Sequence, residues 1–185
     1  MSINRIVTRR GGFTLVEVMV AFVLLSVAMM GFSRSVVSSM MAANTDREVR
    51  KATEASRGVM ERLSGANFED LFELYNGNAL DDPDGAGTAP GPTFSVTGLT
   101  LQDDDDDGMV GEVLLPFVQV GGVWIVREDL DLPELGLPQD LSGDGVIDSL
   151  DHSDDYLLLP ARIRIQWKAA GAPAQVEFHT ILMGV

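Results

Sequence analysis

RRGGFTLVEVMVAFVLLSVAMMGF, residues 9–32, is the stretch whose reading decides the fold. Two arginines and two glycines lead into a predominantly apolar run from Phe13 to Phe32, interrupted by one acid, Glu17. About twenty residues wound as a helix extend about 30 Å, enough to cross a hydrocarbon core. Residues 1–12 hold Arg5, Arg9 and Arg10 and no acid. Positive charge stays on the cytoplasmic side, so the chain after Phe32 is expected on the opposite face of the membrane.

Helical periodicity continues past the apolar run. Apolar or small residues recur every three or four positions at Val37, Met41, Thr45, Val49, Ala52, Ser56, Met60 and Leu63, with charges filling much of the remainder. No proline occurs before Pro83, and Gly65 is placed as a C-cap. The pattern predicts one helix over residues 13–65, lipid-facing over 13–32 and amphipathic afterwards. Such a helix is several times the usual length, which ordinary packing does not require.

Beyond the helix, residues 76–92 (NGNALDDPDGAGTAPGP) read as a long loop. Strand signals follow at 94–101 and in VLLPFVQVGGVWIVRE, expected to turn at Gly121-Gly122. In ARIRIQWK, Ile163, Ile165 and Trp167 alternate with Arg162, Arg164, Gln166 and Lys168, the signature of a strand with one buried face. Residues 169–173 then turn the chain into QVEFHTIL. The expected class is α+β: a long N-terminal helix whose amphipathic half packs on an antiparallel sheet, with a β-rich head over residues 66–185.

The 185 residues carry a formal net charge of −15, and the N-terminal arginines make the remainder more acidic still. Phosphate binding needs lysine and arginine, so nucleic acid is excluded as a partner. Without cysteine there is neither a disulfide nor a thiolate ligand or nucleophile. His152 and His179 are the only histidines, and HExxH, GxSxG and phosphate-loop motifs are all missing. Asp151-His152-Ser153 has the residue types of a triad, but adjacent positions cannot align acid, base and nucleophile. His179 reads as an ordinary sheet residue, and Trp124 and Trp167 read as core. An enzyme is not indicated.

Three explanations of residues 1–33 compete. A cleaved secretory signal fits poorly, because no A-x-A-like site follows the apolar run. A plain signal anchor leaves Glu17 unexplained, since an acid at the bilayer centre costs roughly 2.5–3.5 kcal/mol on insertion scales. The third rests on a resemblance. RRGG followed by FTLVEVMVAF resembles the N-terminal signal of type IV pilins and type II secretion pseudopilins. The resemblance implies cleavage by a prepilin peptidase between Gly12 and Phe13 and methylation of the new amine on Phe13. It makes residues 1–12 a leader and Glu17 the acid that pairs with a neighbouring subunit's amine during assembly. Other pilin or pseudopilin subunits, the peptidase and the inner membrane would then be the partners, and the head would lie in the periplasm or outside the cell. Lack of a proline late in the membrane helix and of a C-terminal cysteine pair makes the chain most similar to a minor pilin or minor pseudopilin. The alternative from another class is a signal-anchored, extracytoplasmic calcium-binding protein that does not assemble.

An acidic segment, QDLSGDGVIDSLDHSDD (139–155), has calcium-loop spacing. With Asp140 at position 1, Ser142 falls at 3, Asp144 at 5, Gly145 at 6, Val146 at 7, Asp148 at 9 and Asp151 at 12. Calcium takes six to eight oxygens, glycine at 6 permits a sharp turn, and position 7 offers its carbonyl. Ile147 at position 8 is expected to pack inward. Aspartate at 12, and no helical pattern before the loop, give it the look of a dockerin-type loop, so structural Ca²⁺ is the expected cofactor. Asp103, Asp105 and Asp107 open a weaker version of the pattern, whose position 12 is Leu114 and cannot ligate through its side chain.

Overall fold

The computed structural model describes Gly12 and residues 14–184. They fall into two compact units, the first ending at Asn44 and the second beginning at Thr45. Helix α1, Leu15–Gly65, contributes to both and has 51 residues. Its start is built by Thr14, whose hydroxyl accepts a hydrogen bond from the Glu17 N–H at 3.2 Å and whose carbonyl accepts one from Val18 N–H. This N-cap satisfies groups that a helix start otherwise leaves open.

In the first unit the apolar side chains of α1 are exposed from Leu15 to Met41, apart from the half-buried Val36. Among the described residues, α1 is the one helix long and apolar enough to cross a membrane. Two of its hydroxyls are satisfied internally: Ser26 donates to the Phe22 carbonyl and Ser33 to that of Met29. A helix closed on itself in this way offers hydrocarbon no open hydrogen-bonding group from those side chains.

The second unit packs the end of α1 against an antiparallel sheet. Ala52, Ser56, Val59 and Leu63 are the buried positions of α1, a repeat of three to four that sets one stripe inward. That stripe agrees with the expected face only from Ala52 onward; Val37, Met41 and Val49 are exposed. Gly65 is the last helical residue and does not take a left-handed conformation, so the expected C-cap is not formed there. A 3₁₀ turn at Phe68–Asp70 and a short helix α2, Leu71–Tyr75, follow.

Among the described residues, six strands form two sheets. Strands β1 (Thr93–Phe94), β2 (Gly111–Leu114), β5 (Leu158–Ala169) and β6 (Ala172–Met183) make one, in the order β1-β2-β5-β6. Strands β3 (Phe117–Val120) and β4 (Val123–Val126) make the other. All pairings are antiparallel. β5 shows the predicted alternation: Ile163, Ile165 and Trp167 are buried, while Arg162 and Arg164 lie on the other face and pair with Glu177 and Glu112. Leu63, Leu71, Phe72, Val113, Leu159 and Ile163 belong to the main core. A smaller core gathers Ala52, Val110, Ile165, Trp167 and Ala169.

Three expectations about strands need correction. Of the stretch expected to be a strand over 94–101 only Phe94 lies in one, β1; the rest is turn and coil. The run from Val113 to Glu128 is not one hairpin, because Pro116 lacks an N–H to donate and the chain leaves one sheet for the other around it. The Gly121-Gly122 turn itself forms as expected, with φ of 61° and 90°, a conformation costly for residues bearing Cβ. The last turn is also tighter than 169–173: β5 and β6 meet at Ala170-Gly171, and Pro173 falls inside β6, an edge strand where a missing donor is tolerated.

Candidate functional site

Two regions hold the residues singled out by sequence. The first is the start of α1. Glu17 is exposed in the first helical turn, where the helix dipole favours a negative charge. Beside it a groove of about 360 Å³ runs along the helix, lined by Glu17, Val18, Ala21, Phe22 and Leu25. Thr14 and Glu17 stand in the T-x-x-E spacing of a capping box, a signal the periodicity argument passed over. Gly12 is exposed, and a Cβ built on it would touch nothing. Phe13 lies outside the described residues, as do Arg5, Arg9 and Arg10.

The second region is the acidic loop. Asp140 organises it: Oδ1 accepts from Gly143 N–H at 2.6 Å and Oδ2 from Gly145 N–H at 2.9 Å. The Gly145 bond is the main reason the Asp140 pKa is lowered; burial opposes it, and Gly143 and Ser142 add to it. Gly145, at position 6, has φ of 86°, which supports the sharp turn expected there. The Ser142 hydroxyl lies 3.4 Å from Asp140 Oδ1. Asp144 accepts from Val146 N–H, Asp148 from Leu150 N–H, and Asp151 from both the N–H and hydroxyl of Ser153.

The loop carboxylates thus bond chiefly to backbone a few residues onward, and they do not converge. Among the described residues, no group of three or more His, Asp or Glu side chains is arranged to hold a metal ion. Ile147 does not pack inward; it is 49% exposed, with Val146 and Leu150 also exposed beside it. The acidic run at 103–107 is likewise dispersed. Asp105 accepts from Gly108 N–H, Asp107 from Met109 N–H, and Asp103 pairs with Lys168 at 2.6 Å.

Residues outside the loop, unmarked by any motif, hold it in place. Glu128, just after β4, is fully buried, and its Oε1 accepts from the N–H groups of Leu141 and Ser142, each at 2.7 Å. Both ends of the loop are fastened to the same short segment: Gln139 N–H donates to the Glu128 carbonyl and His152 N–H to that of Val126. His152 is 5% exposed; its Nδ1 lies 3.0 Å from Asp155 and its Nε2 3.3 Å from Asp148. Burial by itself would lower the His152 pKa, but the Asp155 and Asp148 hydrogen bonds and the charge of Glu128 outweigh it and raise the pKa. Ser153 Oγ donates to Asp151 at 2.6 Å and accepts from Val126 N–H, so the Asp-His-Ser sequence forms no relay.

A capped apolar helix, exposed along its first half and joined to an antiparallel head, defines a helix-anchored α+β protein. Residues 7–33 match the family model of the prokaryotic N-terminal methylation motif, the processing signal of type IV pilin-like proteins. No curated protein and no solved structure matches the chain significantly.

Proposed function

We propose that the chain is a minor pilin, processed by prepilin peptidase between Gly12 and Phe13 and inserted through α1 into a type IV pilus, where it serves initiation or the tip. The observation that carries this reading is the methylation motif over residues 7–33 heading a helix whose apolar residues from Leu15 to Phe32 are all exposed. Apolar surface on that scale needs lipid or other helices around it. Glu17 adds support, because an acid there gains a partner once cleavage creates an ammonium on a neighbouring chain. Gly12 adds more: a Cβ there would meet no neighbour within 4 Å, so packing does not explain the glycine and its use fits close backbone contact with a protease. The same features serve a minor pseudopilin of a type II secretion system, the second reading. The head is then periplasmic or extracellular, structural in role, and ordered by calcium at the 140–151 loop.

Co-expression with a prepilin peptidase followed by mass analysis of the amino terminus tests the reading. A methylated Phe13 terminus is the expected product, and Gly12→Leu should leave the leader attached. An intact leader on the parent chain would instead support the signal-anchored protein that never assembles.

A further inference from the structure

We propose that the open edge of β6 is an interface at which two copies of this chain join their sheets, antiparallel, about a two-fold axis at Phe178. The inference goes beyond the pilin reading and stands on the head's own sheet. β6 has twelve residues and ends the sheet on one side, whereas β1, on the other, has two. Gln166 and Lys168 of β5 donate away from β6, to the carbonyls of Val110 and Thr100. Backbone groups alternate in direction along an antiparallel ladder, so Ile163, Ile165 and Trp167 bond their partners Phe178, Val176 and Ala174. The N–H and C=O groups of Gln175, Glu177, His179 and Ile181 therefore face outward, and among the described residues no strand lies beyond them. A long open edge is a template for another strand, and proteins commonly blunt it with lysine, proline, a bulge or short length. β1 is blunted by its length. β6 has Pro173 near its start, neither lysine nor arginine, an unbroken register with β5, and exposed Ile181 and Met183 towards its end.

Charge complementarity identifies the occupant as a second copy and sets its register. Glu177 is the one acid of β6 and His179 its one histidine, on either side of Phe178. Glu177 Oε1 accepts from Arg162, but Oε2 lies 3.9 Å from its own His179 Nε2, beyond hydrogen-bond reach. A two-fold axis at Phe178 sets each copy's Glu177 directly opposite the other's His179, where an imidazole N–H can donate to that oxygen. Placing the axis one residue either way matches Glu177 with Glu177 or His179 with His179 and loses both contacts. The favoured register also sets Gln175 opposite Ile181 and brings the two half-buried Phe178 rings together on the inner face. Beside His179, Thr180 and Ile181 a groove of about 610 Å³, walled by the 3₁₀ turn Pro133–Leu135, leaves room for side chains of the added strand. The acids that make the chain so negative cluster elsewhere, over 103–107 and 128–155, so they do not line this edge.

Because the chain has no cysteine, Gln175→Cys combined with Ile181→Cys reports the register directly. Within one copy the two positions are about 20 Å apart along the strand. Across the axis they are direct neighbours with Cα atoms about 5.5 Å apart, a separation a disulfide spans. Full-length protein in detergent micelles is oxidised mildly and resolved on a gel without reductant. The double variant should run as a covalent dimer and each single variant as a monomer. Adding His179→Glu to the double variant should cut the dimer about tenfold, and adding His179→Lys should retain it, because only the first sets like charges opposite each other. Gln175, His179 and Ile181 are all exposed, so these changes leave the core of the head untouched. No dimer from the double variant, or as much from a single one, would overturn the interface. Equal yields with His179→Glu and His179→Lys would overturn the charge pairing that selects a second copy. None of these outcomes bears on cleavage after Gly12, so the pilin reading is tested separately.

Discussion

Tyr156 shows how one side chain ties the acidic loop to the helical end of the head. Its hydroxyl donates to the Phe68 carbonyl at 2.7 Å, and its ring meets Phe68 edge to face with centroids 5.0 Å apart. Burial pushes the phenol pKa up to about 12; a backbone hydrogen bond opposes this, and the charges of Asp70, Glu73 and Glu69 reinforce it. The folded state therefore favours the neutral phenol. Below the ordinary value of 10 this contribution is complete; as pH rises from 10 towards 12 the unfolded chain ionises first, so stability falls. Urea midpoints across that window should decline for the parent and decline less steeply for Tyr156→Phe. At neutral pH the variant should be weaker by about 1 kcal/mol, the usual worth of one hydrogen bond. Equal alkaline slopes would show that Tyr156 is not the group responsible.

Among the elements, the end of α1 supplies part of the main core of the second unit. Leu63 is 1% exposed and packs in the main core, so Leu63→Ala should destabilise the head by about 2–5 kcal/mol. Val49, 40% exposed on the same helix, should tolerate alanine within about 0.5 kcal/mol. Denaturant unfolding followed by tryptophan fluorescence, which reports on buried Trp167, separates the two. The sequence made α1 and β5 legible because α1 from Ala52 onward and β5 along its run each bury one face, leaving a clean period of 3.6 or 2. It was less informative about β1 and β2, where pairing is short and the partner is distant in sequence. Pro116 was visible in the sequence, yet its effect depends on a second sheet that local pattern does not reveal. The acidic loop divides in the same way. Asp140 and Gly145 follow their spacing into a turn, whereas Glu128 and His152 join the loop through contacts that no motif records. Ile147 was misplaced because position in a spacing does not say what lies over a side chain, and here Ile147 is exposed together with Val146 and Leu150.

For the whole molecule, function as proposed depends on removing twelve residues and then finding neighbours. Glu17→Ala should leave processing unchanged, since cleavage precedes assembly and the helix cap from Thr14 survives. The same variant should be missing from sheared filaments while accumulating in the membrane fraction, measured by immunoblot of both. Incorporation at the parent level would remove Glu17 from assembly.

The pairing of β2 with β5 constrains how the head comes into being. Register sets Leu114 opposite Arg162, so the sheet joins across about fifty residues that include the whole second sheet and the acidic loop. The β5–β6 hairpin closes across two residues and can form early; the central seam cannot. Non-local pairings of this kind fold in milliseconds to seconds, slowly beside a helical bundle. During synthesis the strand β2 therefore waits with an unpaired edge until β5 has emerged. The acidic stretch between them, by mutual repulsion, keeps waiting chains apart from one another.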